Sequence, residues 1–146
     1  MREMLANKYL LNGEAAKAME LYEEALADDP DQADLRCRLI LAQLAQATDE
    51  RTAPLEEVAS FITAIVDRGG RRELLRLVKG CQGYARHADE PGQGAALNGL
   101  KALLAGHDDR ALSLLSTVDP KQHPAVAELE KRLRRLQRKA AAGGAS

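Results

Sequence analysis

The sequence contains few aromatic residues, few cysteines and no long apolar run. Trp is absent, Phe occurs once, and aromatic residues make up 3% of the 146 positions. Because β-sheets are rich in aromatic and β-branched side chains, this scarcity argues against a sheet protein. The chain is built instead from Ala, Leu, Arg, Glu and Gln, which are strong helix formers. The composition therefore predicts an all-α fold.

The other absences restrict the class of protein. The two cysteines, Cys37 and Cys81, form no C-x-x-C pair, a usage typical of free, buried thiols in a reducing cytosol. No segment reaches the ~18 apolar residues of a membrane span, and the N-terminus lacks the apolar core of a signal peptide. The formal net charge of −1 provides no global attraction to nucleic acid or anionic lipid. We therefore expect a cytoplasmic protein with no membrane partner.

Glycine and proline divide the chain into about eight short helices. Gly13, Pro30, Gly69–Gly70, Pro91–Gly92 and Pro120 mark breaks between segments whose apolar residues recur three and four positions apart. The predicted helices cover residues 3–12, 14–28, 31–47, 54–68, 71–88, 94–105, 108–118 and 124–140. The sequence thus predicts a single helical domain over residues 1–140, followed by a disordered tail at 141–146.

The first two helices carry a specific pattern of large and small residues. In the first helix a large apolar residue is followed directly by a small residue, and an aromatic residue lies three positions after the small one. The second helix carries an Ala, an aromatic residue and another Ala, and a Pro follows its end. These slots, with the glycine at the turn, are Leu5, Ala6, Tyr9, Gly13, Ala18, Tyr22, Ala25 and Pro30. The segment from Arg2 to Pro30 resembles a tetratricopeptide repeat, with Arg2 departing from the family's large apolar residue.

The rest of the chain repeats this pattern only in part. When the pattern is shifted by the family's 34-residue period, two of its positions fall on Leu39 and Ala59, which fit it. Other positions fall on polar residues, which do not fit it. A further echo, off this period, has the internal spacing of the first unit at Gly99, Ala102, Gly106, Ala111, Leu115 and Val118. The resemblance implies antiparallel helix-pair repeats, in a degenerate tetratricopeptide-like α-solenoid of about eight helices.

Candidate catalytic and metal sites are weak. His87, His107 and His123 fall at separate helix ends, and no two are spaced as zinc ligands on one helix. The acidic cluster at 28–34 lacks the central Gly and final Glu of a calcium loop and is explained by the dipole of the following helix. The serines lie inside helices with no nucleophile elbow. We therefore expect no enzyme activity, metal or cofactor.

The last helix is the most basic segment of the chain. Its cations are Lys131, Arg132, Arg134, Arg135, Arg138 and Lys139, beside an apolar stripe of Val126, Leu129, Leu133 and Leu136. A helix at the end of a repeat array needs a polar outer face, so a solvating cap is the favoured interpretation. Binding of nucleic acid or an acidic partner through residues 131–139 is the alternative.

The resemblance also implies a binding groove, because the first helix of each tetratricopeptide unit lines the concave face of the superhelix. On the first and third helices the residues assigned to that face are Asn7, Leu10, Arg38 and Leu41, with Cys37 and Leu44 near them. Family members that clamp chaperone carboxylates use a Lys four residues before the Asn. Here Glu3 occupies that place and reverses its charge, which argues against such a clamp.

These observations together predict a protein-interaction scaffold that holds a partner protein or peptide in a helical groove. Nucleic acid is the less favoured partner, although binding through the basic last helix stays open as the alternative function. A helical enzyme with unrecognised chemistry is a third, weaker hypothesis. The sequence leaves the identity of the partner and the oligomeric state open.

Overall fold

Helices account for all regular secondary structure in the computed structural model, which describes residues 2–79, 81 and 93–144. The prediction of an all-α fold is confirmed for this part of the chain. The described residues form seven helices: α1 (Arg2–Leu11), α2 (Ala15–Asp28), α3 (Ala33–Gln46), α4 (Leu55–Lys79), α5 (Ala95–Leu104), α6 (Asp108–Leu115) and α7 (Pro124–Gly144).

The predicted break at Gly69–Gly70 is present, although several helix ends depart from the sequence prediction. The break lies inside α4, which joins the fourth and fifth predicted helices across Gly70, whose φ of 61° and ψ of −148° are not helical. Of the predicted helix at 71–88, residues 71–79 are helical, whereas most of 80–88, with His87, lies outside the described residues. Helix α6 ends three residues early, and α7 continues to Gly144, through part of the predicted tail; residues 145–146 are not described.

Two helix hairpins, α1–α2 and α5–α6, share one turn geometry. Gly13 and Gly106 have positive φ values of 80° and 92°, which glycine adopts without steric cost. In each turn the N–H after the glycine bonds a carbonyl five residues back, the bond of a Schellman motif. The pairs are Glu14 N to Tyr9 O at 2.8 Å and His107 N to Ala102 O at 2.9 Å. The residue spacing that the first unit shares with residues 99–118 therefore corresponds to the same turn geometry in the two hairpins.

Small residues line both hairpin seams. Ala6 and Ala18 are fully buried, and α1 packs against α2. In the second hairpin a methyl group added to Gly99 would lie 2.6 Å from Leu115 Cδ2, so a larger residue there would force the helices apart. Leu5, by contrast, is 45% exposed, because it lies ~100° around the helix from Ala6 and faces away from the seam.

Helix α5 lies at the centre of the core and is buried on nearly all sides. Leu97, Leu100 and Leu104 are fully buried, and the neighbouring cation Lys101 is 1% exposed. Lys101 Nζ donates to the Ala47 carbonyl at 2.6 Å and to Gln93 Oε1 at 2.5 Å. Ala47 follows the last residue of α3, so the ammonium group also lies at the negative end of that helix dipole.

Two carboxylates, from Glu50 in the α3–α4 connection and Glu56 in the first turn of α4, orient two distant helices. Glu50 Oε1 accepts the Ala96 N–H at 2.9 Å, at the start of α5. Glu56 Oε2 accepts the N–H groups of Ala125 and Val126 at 3.0 and 3.2 Å, at the start of α7. Each carboxylate satisfies donors that a helix N-terminus leaves unpaired and interacts favourably with the dipole.

Helix α7 returns to the middle of the chain and packs along α4. Its start contacts Glu56 in the first turn of α4, and further along Arg132 forms an ion pair with Asp67. The two helices therefore run side by side in the same direction. This contact brings the C-terminal basic segment next to the bend in α4.

Candidate functional site

A cavity of about 490 Å³ lies between α1, α3 and the two arms of α4. This volume is in the range of ligand-binding clefts in proteins. The residues that line it are Leu10, Cys37, Arg38, Leu41, Phe61, Ile65, Arg68, Glu73, Arg76, Leu77 and Cys81. We refer to it as the α4 cavity.

Asn7, from the predicted groove, links three helices above this cavity. Its Oδ1 accepts a hydrogen bond from the Arg38 Nη1 at 2.8 Å and another from the Tyr22 hydroxyl. Asn7 lies on α1, Tyr22 on α2 and Arg38 on α3. Because Tyr22 is fully buried, this bond also satisfies a hydroxyl group inside the core. Asn7 therefore holds the helices together and orients the Arg38 guanidinium at the cavity.

The floor of the α4 cavity is apolar. Leu10 and Leu41 line it but are only 4% exposed, so their outer surfaces form the floor while most of each side chain belongs to the core. Phe61 and Ile65 continue the floor on α4, and Leu77 adds to it beyond the bend. This surface can bury an apolar side chain of a ligand.

The rim of the cavity is cationic. Arg38, Arg68 and Arg76 line it, against one carboxylate, Glu73. Arg68 is exposed and forms no hydrogen bond or ion pair with any other described residue. Arg76 is paired with Glu73 at 3.5 Å, but three-quarters of its side chain is exposed, and such surface pairs are weak. The guanidinium groups can therefore bind a carboxylate or a carbonyl group of a ligand without breaking a strong internal contact.

Both cysteines of the chain also line this cavity. Cys81 is 2% exposed, and burial raises the pKa of its thiol from 9.0 to about 12, although the positive charge of Arg38 acts in the opposite direction. The thiolate is the reactive form, so Cys81 is an inert thiol at neutral pH. Cys37 is partly exposed.

The structure brings three of the four predicted site residues to one cavity and places the fourth beside it. Leu10, Arg38 and Leu41 line the α4 cavity, and Asn7 contacts Arg38. Sequence reasoning assigned the groove to α1 and α3 alone and missed the whole wall contributed by α4. One signal was available: Phe61, the only Phe of the chain, lies off the apolar stripe that includes Val58 and Ile62.

The basic residues of α7 divide into paired and unpaired groups. Arg132 contacts Asp67 and lies 3.1 Å from Glu128, and Arg134 is paired with Glu130. Lys131, Arg135, Arg138 and Lys139 are exposed and have no hydrogen-bond or ion-pair partner among the described residues. The apolar stripe is buried at Val126, Leu129 and Leu133, which is the arrangement that a terminal cap requires.

Neither metal ligands nor membrane spans are found in the described part of the chain. Its His, Cys, Asp and Glu side chains form no group of three or more that could hold a metal ion. Its helices are all too short or too polar to cross a bilayer. Comparison of the chain with protein-family models, curated proteins and solved structures gives no match.

Proposed function

We propose that this protein is an interaction module that binds a segment of another protein in the α4 cavity. The observation that carries the proposal is the meeting of an apolar floor, from Leu10 to Leu77, with three guanidinium groups at its rim. Such a site suits a short partner segment with one or two apolar side chains and a carboxylate. The apolar side chains supply affinity, and the charged contact fixes the orientation.

The proposal includes a degenerate tetratricopeptide-like architecture. It is supported by the two hairpins, α1–α2 and α5–α6, which share a glycine turn, a Schellman hydrogen bond and small residues at the seam. In such repeats binding surfaces are made by helices that neighbouring units contribute together. The walls of the α4 cavity come from α1, α3 and α4, consistent with this arrangement.

Selection of peptides from a random phage-displayed library tests the proposal without a known partner. The chain is immobilised, selected peptides are synthesised, and their affinities are measured for the wild type and for Arg68→Glu. Arg68 is exposed and unpaired within the described chain, so its reversal leaves the fold intact. Arg51→Glu is the matched control, since Arg51 is exposed, lies in the α3–α4 connection and is no part of the cavity lining.

We expect selected peptides to pair an apolar residue with Asp or Glu, and Arg68→Glu to weaken their binding by about tenfold or more. Arg51→Glu should leave the affinity within about twofold, because an exposed charge far from the ligand is screened by salt. If the two variants lose affinity for the peptides equally, or if neither loses affinity, the binding site lies outside this cavity. Purification of the native protein followed by mass spectrometry would then identify the partner directly.

A further inference from the structure

The positive charge of the chain is concentrated in two segments that lie far apart in sequence. Residues 66–79 and 131–139 contain eleven of the 21 Lys and Arg residues but only two of the 22 Asp and Glu residues. Together they carry a net charge of +9; because the whole chain carries −1, the other residues carry −10. The nearly neutral total conceals a strong separation of charge.

The packing of α7 along α4 joins these segments into one surface. Arg135 and Lys139 of α7 share a cleft with Val66 and Asp67 of α4. Arg71, just beyond the bend of α4, shares a second cleft with Leu136 of α7. We define the basic surface by two exposed, unpaired arginines after the bend and three exposed, unpaired cations near the end of α7: Arg71, Arg72, Arg135, Arg138 and Lys139.

These five cations are available to a ligand. All are exposed, and none forms a hydrogen bond or ion pair with another residue in the described ranges. Asp67, which lines the first cleft, is already paired with Arg132, and Asp108, which lines the second cleft with Arg71, forms no ion pair with it. A bound anion would therefore gain five unpaired positive charges without displacing an internal partner.

The chemistry of the surface distinguishes between two kinds of anionic partner. A protein partner requires an apolar centre to its interface. The leucine-lined cleft beside Arg71 has a volume of only about 30 Å³, too small for a side chain of a partner. Val66, Leu74 and Leu133 are all at most 7% exposed, which leaves Leu75, at 48%, as the exposed large apolar side chain of these segments. A phosphate backbone requires only cations. Neither segment contains an aromatic residue on which bases could stack.

We propose that the basic surface binds the phosphate backbone of a nucleic acid without reading its base sequence. The five cations contact phosphate oxygens, and the bound counterions they displace drive association. The −10 charge of the other residues does not prevent this, since electrostatic interactions between exposed groups decay over about 8 Å at physiological salt. None of the five cations is among the residues that line the α4 cavity.

Fluorescence anisotropy with a labelled 20-nucleotide RNA measures this binding at 50 to 200 mM KCl. The test variant is Arg71→Gln, Arg135→Gln, Lys139→Gln. The control is Lys8→Gln, Arg51→Gln, Lys121→Gln, which removes the same charge from exposed residues with no described side-chain partner. In a second experiment, unlabelled poly-glutamate is added as a competitor of the labelled RNA. The variant Arg38→Ala shows whether the α4 cavity contributes to RNA binding.

We expect the wild type to bind with affinity that falls steeply with salt, and the test variant to bind at least about tenfold more weakly at 50 mM KCl, with a slope reduced by roughly two to three. The control and Arg38→Ala should bind as the wild type does. The proposal is overturned if no RNA binds at 50 mM KCl, if the control loses as much as the test variant, or if poly-glutamate competes as well as RNA. None of these outcomes would affect the proposed function, since peptide binding depends on Arg38 and Arg68.

Discussion

The side chain of Asn7 holds the fold together at the edge of the proposed binding site. Asn7 was predicted as a solvent-facing contact for a partner, and its Oδ1 is used by both Tyr22 and Arg38. Its removal therefore costs stability, about 0.5–1.5 kcal/mol for each lost hydrogen bond. Arg38 and Arg68, which are exposed at the rim, are the cleaner probes of binding.

Ala18 tests the packing of the first hairpin. The residue is fully buried in α2, which packs against both α1 and α3. We expect Ala18→Leu to overpack the seam, to cost about 1–3 kcal/mol and to lower the melting temperature. Ala16→Leu, at an exposed position of the same helix, is the control and should change it little. An unchanged melting temperature for Ala18→Leu would contradict the assigned pairing of α1 and α2.

Cys81 makes stability depend on pH in a defined window. Its folded-state pKa is raised to about 12, from 9.0 for an ordinary thiol. Below pH 9 the thiol is protonated in both states; above it the unfolded chain loses the proton first, so stability falls as pH rises towards 12.

Thermal unfolding from pH 8 to 11 measures this effect as the difference between wild type and Cys81→Ala. We expect the wild type to lose stability relative to the variant, by up to about 1.4 kcal/mol for each pH unit above 9. The other titrating groups are common to both proteins and cancel in the comparison. A difference that stays constant with pH would show that the Cys81 thiol is not shielded from water.

At the level of elements, the sequence predicted which residues are helical better than which helices meet. The spacing of apolar residues and the Gly and Pro breaks are local signals, and the helix bounds follow from them. Asn7, Leu10, Arg38 and Leu41, which the resemblance assigned to one groove, lie at or beside the α4 cavity, and their part in binding stays a prediction. The wall from Phe61 to Leu77 could not be predicted, because it depends on how α4 bends at Gly70 and crosses α3.

Glu56 tests the coupling between α4 and α7. Its carboxylate accepts the N–H groups of Ala125 and Val126, in place of a cap from the sequence next to α7. We expect Glu56→Ala to destabilise the protein by about 1–2 kcal/mol in urea unfolding. Glu57→Ala removes the same charge from the same turn of α4 at an exposed position, and should cost less than about 0.5 kcal/mol. Equal costs would exclude a specific capping role.

Two variants of α7 separate the effect of burial on stability from the effect of surface charge on binding. Leu133 is 5% exposed and belongs to the core cluster. We expect Leu133→Asp to cost about 3–5 kcal/mol, since it both empties an apolar site and buries a carboxylate. Replacing Arg135 and Arg138 by Gln should leave both stability and peptide binding unchanged. Loss of peptide binding in the stable Arg135→Gln, Arg138→Gln variant would move the protein-binding site to α7.

At the scale of the whole molecule, the contact between α4 and α7 determines where the last helix lies and how positive charge is distributed over the surface. A regular open array packs each helix mainly against its sequence neighbours. Here the last helix packs on the fourth, which places the basic C-terminal segment beside the arginines of α4 and close to the rim of the cavity. Net charge, calculated from composition, could not show this, because it sums over regions that the fold keeps apart.

Calorimetric titration of a selected peptide into an Asn7→Ala, Arg38→Ala double variant tests the central claim most directly. The control is Asn12→Ala, Arg36→Ala, which changes the same residue types at exposed positions, one beside α1 and one on α3. We expect the loss of the Arg38 guanidinium, which Asn7 orients at the cavity, to cost about 1–2 kcal/mol of binding free energy, while the control binds as the wild type does. Full affinity in a double variant that circular dichroism shows to be folded would contradict the claim that the partner occupies the α4 cavity.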